Sequence, residues 1–112
     1  MKTSFNKKTP KRILGYLMAF AMVLFSANAF SQCDHTFNAY DSFGDGWNGA
    51  SVDVTVNGAT IVAGAACTGA YGTPTGSAEA FTFSASSGDA IDLANWVSGS
   101  YNGEISWDIT DG

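Results

Sequence analysis

The sequence predicts an all-β domain, a small antiparallel β-sandwich or jelly-roll-like fold, behind a cleaved N-terminal signal peptide. Three observations lead to this fold class. Several segments alternate apolar and polar residues with period two, which gives a strand one apolar and one solvated face. Turn-forming residues separate these segments at intervals of about ten residues. After the N-terminal third, no window shows the i, i+3, i+4 apolar spacing of a helix.

Residues 1–31 are expected to be a secretory signal peptide. All five Lys and Arg residues lie within residues 1–12, an apolar run follows from Ile13 to Phe25, and small residues come next. This order is typical of a signal peptide, and the apolar run is shorter than the about 20 residues of a membrane-spanning helix. Cleavage is expected after Ala29 or after Ser31.

Five strands are predicted in the rest of the chain. The clearest is the second, in which three valines alternate with polar residues. In chain order the predicted strands are TFNAY at 36–40, SVDVTVN at 51–57, EAFTFSA at 79–85, AIDLANWV at 90–97 and EISWDIT at 104–110. In the last strand Trp107 shares the apolar face with two isoleucines, so it is predicted to lie in the core. The segments NG, GAYGTPTG, SSGD and SGSYNG are predicted turns.

Residues 32–112 are predicted to form a single acidic domain, either a free module or a fragment of a longer chain. They contain all ten acidic residues of the chain, one histidine (His35, predicted to be an ordinary strand residue) and no Lys or Arg. Nucleic acid and anionic membrane surfaces are therefore excluded as partners, because both are bound through basic side chains. No membrane insertion is expected after signal cleavage. Such a surface favours cations.

The two cysteines, Cys33 and Cys67, both lie in the exported part of the chain. Their even number and the oxidising compartment predict a disulfide between them, which would stabilise a small domain by roughly 3 to 4 kcal/mol. Two free thiols or a metal-binding pair are the alternatives. Lipidation of Cys33 is disfavoured, because the residue before a lipidated cysteine should be small and here it is Gln32.

The stretch DSFGDGWNG, residues 41–49, is the strongest candidate for a binding site. Asp41, Asp45 and Asn48 offer side-chain oxygens, and the main-chain carbonyl of Trp47 offers another. Calcium takes six to eight oxygen ligands, which short glycine-containing loops can supply. The spacing is not that of an EF-hand, so the loop lacks ligands and a remote carboxylate is expected to complete the site. The alternative is that these residues only cap their own backbone in a turn.

The motif DSFGDGWNG, with an alternating strand and an NG turn after it and YNGEISWDITDG near the end, resembles a DSYGDGWNG-type module. Such modules occur in secreted bacterial and some algal proteins, often exported through type IX secretion. The resemblance extends from Cys33 to the end of the chain, although only the nine-residue core is specific. It implies an extracellular, noncatalytic β-sandwich, and it matches Glu104 to the glutamate of the module's last strand. Glu104 is thus the candidate remote ligand, with Asp53 and Asp108 next.

The aromatic residues and the composition lead to the functional expectation. Trp47 is expected to pack beneath the loop rather than to stack on a sugar, whereas Trp96 and Tyr101 flank a turn and are candidates for ligand contact. The predicted function is a secreted, calcium-stabilised binding or adhesion module, with glycans as a candidate ligand. The alternative is a purely structural surface domain without a specific ligand. An enzyme is not expected, because the only available chemistry is that of paired carboxylates and about 80 residues leave little room for a cleft.

Overall fold

The computed structural model describes residues 31–111, and residues 1–30 of the expected signal peptide lie outside them. The elements are β1 (Gln32–Asp41), β2 (Ser51–Val56), β3 (Ala59–Ala65), a short helix α1 (Pro74–Ser77), β4 (Ala78–Ser86), β5 (Ile91–Val97), a 3-10 turn (Asn102–Glu104) and β6 (Ile105–Asp111). Within residues 31–111, no helix has the length and apolar character needed to cross a membrane.

Six strands form two antiparallel sheets of three. The first sheet has the order β4-β1-β6 and the second the order β3-β2-β5, so β1 and β2 are the central strands. Antiparallel pairing follows from the short connections, since a two-residue Asn57–Gly58 turn is enough to join β2 to β3. Both of these turn residues have a positive φ, as the tight hairpins favoured by Asn-Gly require. The predicted all-β sandwich is confirmed.

The core lies between the two sheets. Fully or almost fully buried apolar residues come from both sheets, and they belong to one cluster that includes Phe37 of β1, Val54 of β2 and Phe83 of β4. Their alternation along each strand places them on the inner face, as the period-two pattern predicts. Trp47, from the loop after β1, is 1% exposed and is among the largest fully buried side chains. Its expected role as an anchor beneath the loop is confirmed.

Two features of the sheets differ from the expectation. The strand β3 is not among the predicted strands, because its sequence ATIVAGA has small residues and a glycine in place of a clear alternation. The prediction that Trp107 lies in the core is wrong, since its side chain is 49% exposed. Trp107 stacks on the buried ring of Phe37, with centroids 5.9 Å apart. The side chain is half exposed because β6 is an edge strand, so no further strand of the sheet lies on the side of Trp107 that faces away from β1.

The two ends of the sandwich differ. At one end, short turns join β2 to β3 and β4 to β5, and polar side chains connect these turns. Asp89 accepts hydrogen bonds from the Ser86 N–H (2.7 Å) and from the Asn57 side-chain amide (2.8 Å). Both bonds lower the pKa of Asp89, and the bond from Ser86 has the larger effect. The three longer connections, 42–50, 66–77 and 98–104, lie at the other end, which we call the loop end.

Candidate metal centre

The loop end is assembled by strand polarity alone. Asp41 at the end of β1 pairs with Ile105 at the start of β6, and Tyr40 pairs with Ala78 at the start of β4. In the second sheet the start of β2 lies beside the ends of β3 and β5. Antiparallel neighbours run in opposite directions, so every connection that is not a tight turn emerges at this end. Loops positioned by a rigid scaffold are where binding residues concentrate.

The first loop is packed tightly against the second. The main-chain N–H of Gly46 donates to the Gly76 carbonyl (3.0 Å), and that of Trp47 donates to the Cys67 carbonyl (2.9 Å). Gly46 has a φ of +85°, and a Cβ atom there would lie 2.9 Å from the carbonyl oxygens of Cys67 and Gly69. A side chain at this position would therefore both strain the backbone and separate the loops. This contact explains one of the glycines in DSFGDGWNG.

One oxygen of Asp41 caps the loop. Asp41 is 5% exposed, and its Oδ2 accepts hydrogen bonds from the N–H groups of Gly44 (2.6 Å) and Asp45 (3.1 Å). This is the local capping role that the Asx-turn alternative describes. Its second oxygen, Oδ1, is buried and has no hydrogen-bond partner among the described residues. Capping therefore explains the position of Oδ2 but not that of Oδ1.

Glu104 brings a second unpaired oxygen to the same place. It ends the 3-10 turn before β6, and its carbonyl accepts a hydrogen bond from the Ser42 N–H (3.0 Å), which joins the third connection to the first. Its Oε2 is buried and, like Asp41 Oδ1, unpartnered within residues 31–111. One carboxylate oxygen from each of Asp41, Asp45 and Glu104 lies within 4.8 Å of the others. The remote carboxylate expected from the sequence is thus beside the loop.

The carboxylates of this acidic cluster (Asp41, Asp45 and Glu104) lie close enough to repel one another. Burial raises the pKa of Glu104, and the charges of Asp41 and Asp45 raise it further. A buried carboxylate needs hydrogen-bond donors or a positive charge, and residues 31–111 contain no Lys or Arg. The only histidine, His35, lies in β1 and pairs instead with Asp111. The described part of the chain therefore supplies no cationic side chain to the cluster.

The other two predicted ligands, Asn48 and Trp47, form hydrogen bonds within the loop end. The Asn48 side-chain amide donates to Asp45 Oδ1 (3.1 Å) and to the Gly46 carbonyl (3.0 Å), so it orients the Asp45 carboxylate. The carbonyl of Trp47 accepts a hydrogen bond from the Ala50 N–H (3.0 Å). The Trp47 indole N–H donates to the Tyr40 carbonyl (2.8 Å), which fixes this side chain in the core beneath the loop.

The two reserve candidates do not join the cluster. Asp53 accepts hydrogen bonds from the Gly64 N–H and the Asn95 side chain on the second sheet. Asp108 accepts hydrogen bonds from Asn38 and Tyr40 on the first sheet. Both carboxylates have donors of their own, unlike Asp41 Oδ1 and Glu104 Oε2. Of the five acidic residues considered as side-chain ligands, three converge.

The expected disulfide is not formed, and both cysteines are free. Cys67 is buried beside the loop, where its thiol donates to the Ala39 carbonyl near the end of β1 (3.3 Å). Burial, followed by the charges of Glu79 and Asp41, raises the pKa of Cys67 to about 11. Cys33 is exposed at the start of β1, opposite Ala85. Six residues of extended strand separate Cys33 from Ala39, roughly 20 Å, far beyond the separation that a disulfide can bridge.

Exposed aromatic rings surround the loop end. Trp96 is 47% exposed and its ring lies 6.0 Å from that of Trp47, and Tyr101 is 58% exposed, so both predicted exposed aromatics are on the surface. A second pair was not predicted. Phe43 and Tyr71 are 60% and 71% exposed, and their ring centroids are 5.4 Å apart. The signal for this pair is the presence of aromatic residues in both glycine-rich loops, but which loops pack together is a property of the topology.

Comparisons with known proteins add no relative to this picture. No protein-family model, curated protein or solved structure matches the chain. The geometry of the loop end therefore carries the functional argument.

Proposed function

We propose that this domain is a secreted, noncatalytic binding or adhesion module whose loop end is stabilised by calcium. The observation that carries the proposal is the pair of buried carboxylate oxygens without donors, Asp41 Oδ1 and Glu104 Oε2. They lie on two chain segments far apart in sequence, and the Asp45 carboxylate is beside them. Leaving such oxygens without donors destabilises the folded state. A divalent cation turns this repulsion into attraction.

Calcium fits the cluster better than the other common metal ions. All three side chains offer hard oxygen donors, which calcium and magnesium prefer and which zinc and copper use less. The nearby Cys67 thiol is already a donor to a carbonyl and has a raised pKa, so it is a poor source of a thiolate ligand. Magnesium requires near-ideal octahedral geometry, whereas calcium accepts irregular shells completed by carbonyls and water. An irregular loop with three convergent carboxylates therefore favours calcium.

Secretion and binding rest on separate supports. The order of basic, apolar and small residues in positions 1–31 is that of a signal peptide. A rigid sandwich that gathers its three long connections at one end is the common architecture of binding modules. The resemblance to DSYGDGWNG-type modules supports the same class. A noncatalytic role agrees with the donor set, because the three carboxylates converge in one cluster rather than facing each other across a substrate cleft.

The direct test is a calcium titration of the isolated domain followed by ¹H–¹⁵N NMR at pH 7 in 0.15 M NaCl. Saturable shifts are expected for the amides of residues 41–49 and of Glu104, with a dissociation constant of about 0.1 to 1 mM, as is common for extracellular modules. Asp41→Asn is expected to weaken calcium binding by about tenfold or more, because it removes one of the three negative charges of the cluster. Magnesium at the same concentration is expected to bind more weakly.

The matched control is Asp92→Asn, which removes one charge from β5 on the other sheet. Calcium binding by this variant should equal that of the unmodified domain. Shifts that are spread over all acidic residues and never saturate would contradict a site. So would equal affinities for Asp41→Asn and Asp92→Asn. Either result would favour the alternative in which the carboxylates of the loop only cap its backbone.

A further inference from the structure

The pair Phe43 and Tyr71, which we call the aromatic platform, is the most exposed apolar feature of the loop end. Each ring is more than half exposed, although aromatic side chains gain most of their stabilising effect by burial. The two rings are in contact, with centroids 5.4 Å apart and planes inclined at 39°. They come from two different loops, so neither ring is exposed merely because its loop has no neighbour. An exposed aromatic pair on a fixed support is typical of a recognition surface.

The support beneath the platform is rigid for reasons already described. Phe43 lies between Asp41, whose Oδ2 is held by two N–H groups, and Asp45, which Asn48 orients. On the other loop, the Thr73 N–H and hydroxyl both donate to the Ala70 carbonyl, which forms a turn around Tyr71. Preorganised rings lose little conformational entropy when a ligand binds. The platform is therefore suited to stacking on a flat apolar face.

A depression of about 510 Å³ lies between the two loops that carry the platform. Its lining mixes polar and apolar residues and includes Asp45, Asn48 and the residues from Thr68 to Ala70, which directly precede Tyr71. The Thr68 N–H and hydroxyl both donate to Glu79, so this part of the lining is also fixed. Carboxylate and amide groups beside aromatic rings are the pair of features that a sugar needs. The rings contact the C–H face of the pyranose, and the polar groups bind its hydroxyls.

Charge and side-chain composition select the class of ligand. Residues 32–112 carry ten acidic residues and no Lys or Arg, so an anionic polysaccharide would be repelled. A protein partner would need about 800 Å² on each side, with an apolar centre. The two loops offer no other large exposed apolar side chain, since Trp47 and Cys67 are buried and the remaining residues are small or polar apart from one proline. The surface therefore suits a narrow, uncharged chain of sugars.

We propose that the aromatic platform of Phe43 and Tyr71, with the adjoining depression, binds a neutral polysaccharide. The inference rests on the proposed function in one respect, because calcium at Asp41 and Asp45 would fix the position of Phe43 between them. It differs from the sequence-based expectation, which gave ligand contact to Trp96 and Tyr101. Trp96 is a weaker candidate, since its ring packs against the buried Trp47 and so has a structural role.

The test is affinity electrophoresis of the domain in gels that contain one soluble polysaccharide each, with 10 mM calcium throughout. The neutral polysaccharides are mixed-linkage β-glucan, hydroxyethyl cellulose, galactomannan and soluble starch, and the anionic one is hyaluronan. At least one neutral polysaccharide is expected to retard the domain, whereas hyaluronan is not. Phe43→Ala and Tyr71→Ala are each expected to weaken that binding by about tenfold. Phe43→Tyr should retain it, because the ring is kept.

The matched control is Ile61→Ala, which shortens an exposed apolar side chain near the opposite end of the sandwich and should leave retardation unchanged. Thermal melting verifies that each variant is folded. The inference is overturned if no neutral polysaccharide retards the domain, if hyaluronan is bound instead, or if Phe43→Ala and Tyr71→Ala bind as the unmodified domain does. Loss of binding in Tyr101→Ala alone would move the surface to Trp96 and Tyr101 and would also overturn it.

The outcomes separate this inference from the proposed function. If calcium binds to Asp41 and its neighbours but no polysaccharide is retained, the platform fails and the metal centre stands. If retention depends on Phe43 and Tyr71 but calcium causes no saturable shifts of the amides of residues 41–49 and Glu104, the metal centre fails and the platform stands.

Discussion

The stability of the domain should depend on calcium, and Asp45→Asn should reduce that dependence. Asparagine keeps the size of the side chain and the oxygen that accepts a hydrogen bond from Asn48, but it removes one of the three charges of the cluster. In the presence of chelator the variant should melt at or above the temperature of the unmodified domain, because it relieves repulsion among carboxylates. With calcium the order should reverse.

The size of the effect follows from mass action. Three carboxylates are fewer than the six to eight oxygens that calcium takes, so carbonyls and water complete the shell and the dissociation constant is set at about 1 mM. At 10 mM calcium the ion then stabilises the folded state by about 1.4 kcal/mol. For a domain of this length the melting temperature rises by about 6 to 11 °C. If Asp45→Asn weakens binding tenfold, the gain falls to about 0.4 kcal/mol, or about 2 to 3 °C.

Differential scanning calorimetry at pH 7 and constant ionic strength measures both shifts, with chelator as the reference state. Asp92→Asn is the charge-matched control, since it lies outside the cluster and should keep the full response. The reasoning is refuted if calcium leaves the melting temperature of the unmodified domain unchanged. It is also refuted if Asp45→Asn and Asp92→Asn respond equally, because the ion would then act only by screening the net negative charge.

Three further predictions concern the core, the thiols and pH. Trp47→Phe is expected to lower the free energy of unfolding by about 1 to 3 kcal/mol in urea denaturation, because a main-chain carbonyl loses its indole donor; a change below about 0.5 kcal/mol would contradict the anchoring role. Iodoacetamide at pH 8 is expected to modify Cys33 in the folded domain and Cys67 only after denaturation, as counted by mass spectrometry, and a denatured, unreduced protein with no adduct would restore the disulfide. Hydrogen bonds from a main-chain N–H and, with a smaller effect, from a side-chain amide lower the pKa of Asp89. The stability that Asp89 contributes is therefore present above its ordinary pKa of 3.8 and is lost as the pH falls through the lower pKa of the folded state. NMR titration of Asp89 should give a midpoint below 3.8, and a midpoint at or above 3.8 would contradict these hydrogen bonds.

The alternation of apolar and polar residues predicted most strands and their inner faces, but it did not predict which inner-face side chains are buried. The valines of β2 and the phenylalanines of β4 lie on inner faces as expected, because period two decides which face a side chain occupies. It does not decide whether another element covers that face. Trp107 is on the predicted face of β6 but half exposed, since its strand is at an edge. The sequence pattern contains no information about strand order.

For the candidate site too, the local residues could be predicted from the sequence, whereas contacts between distant segments could not. The glycines and acidic residues of positions 41–49 identified the loop, and the resemblance supplied Glu104. The spacing of Cys33 and Cys67 could not show that they lie at opposite ends of β1, because that depends on how β3 and β1 are placed in space. Phe43 and Tyr71 could not be paired from the sequence for the same reason. Local chemistry was readable, and contacts between distant segments were not.

The composition of the domain makes calcium and folding interdependent if the proposed site is occupied. A domain of this size is only marginally stable, and residues 31–111 contain neither a disulfide nor a Lys or Arg that could neutralise the acidic cluster. Trp47 fixes the loop from below, but it cannot supply the positive charge that Asp41 and Glu104 require. Two main-chain hydrogen bonds join the first loop to the third connection, one from the Ser42 N–H to the Glu104 carbonyl and one from the Ser100 N–H to the Asn48 carbonyl. Under the proposed function, we expect an ion bound by Asp41 and Glu104 to add a further link between these segments where the surrounding medium contains enough calcium.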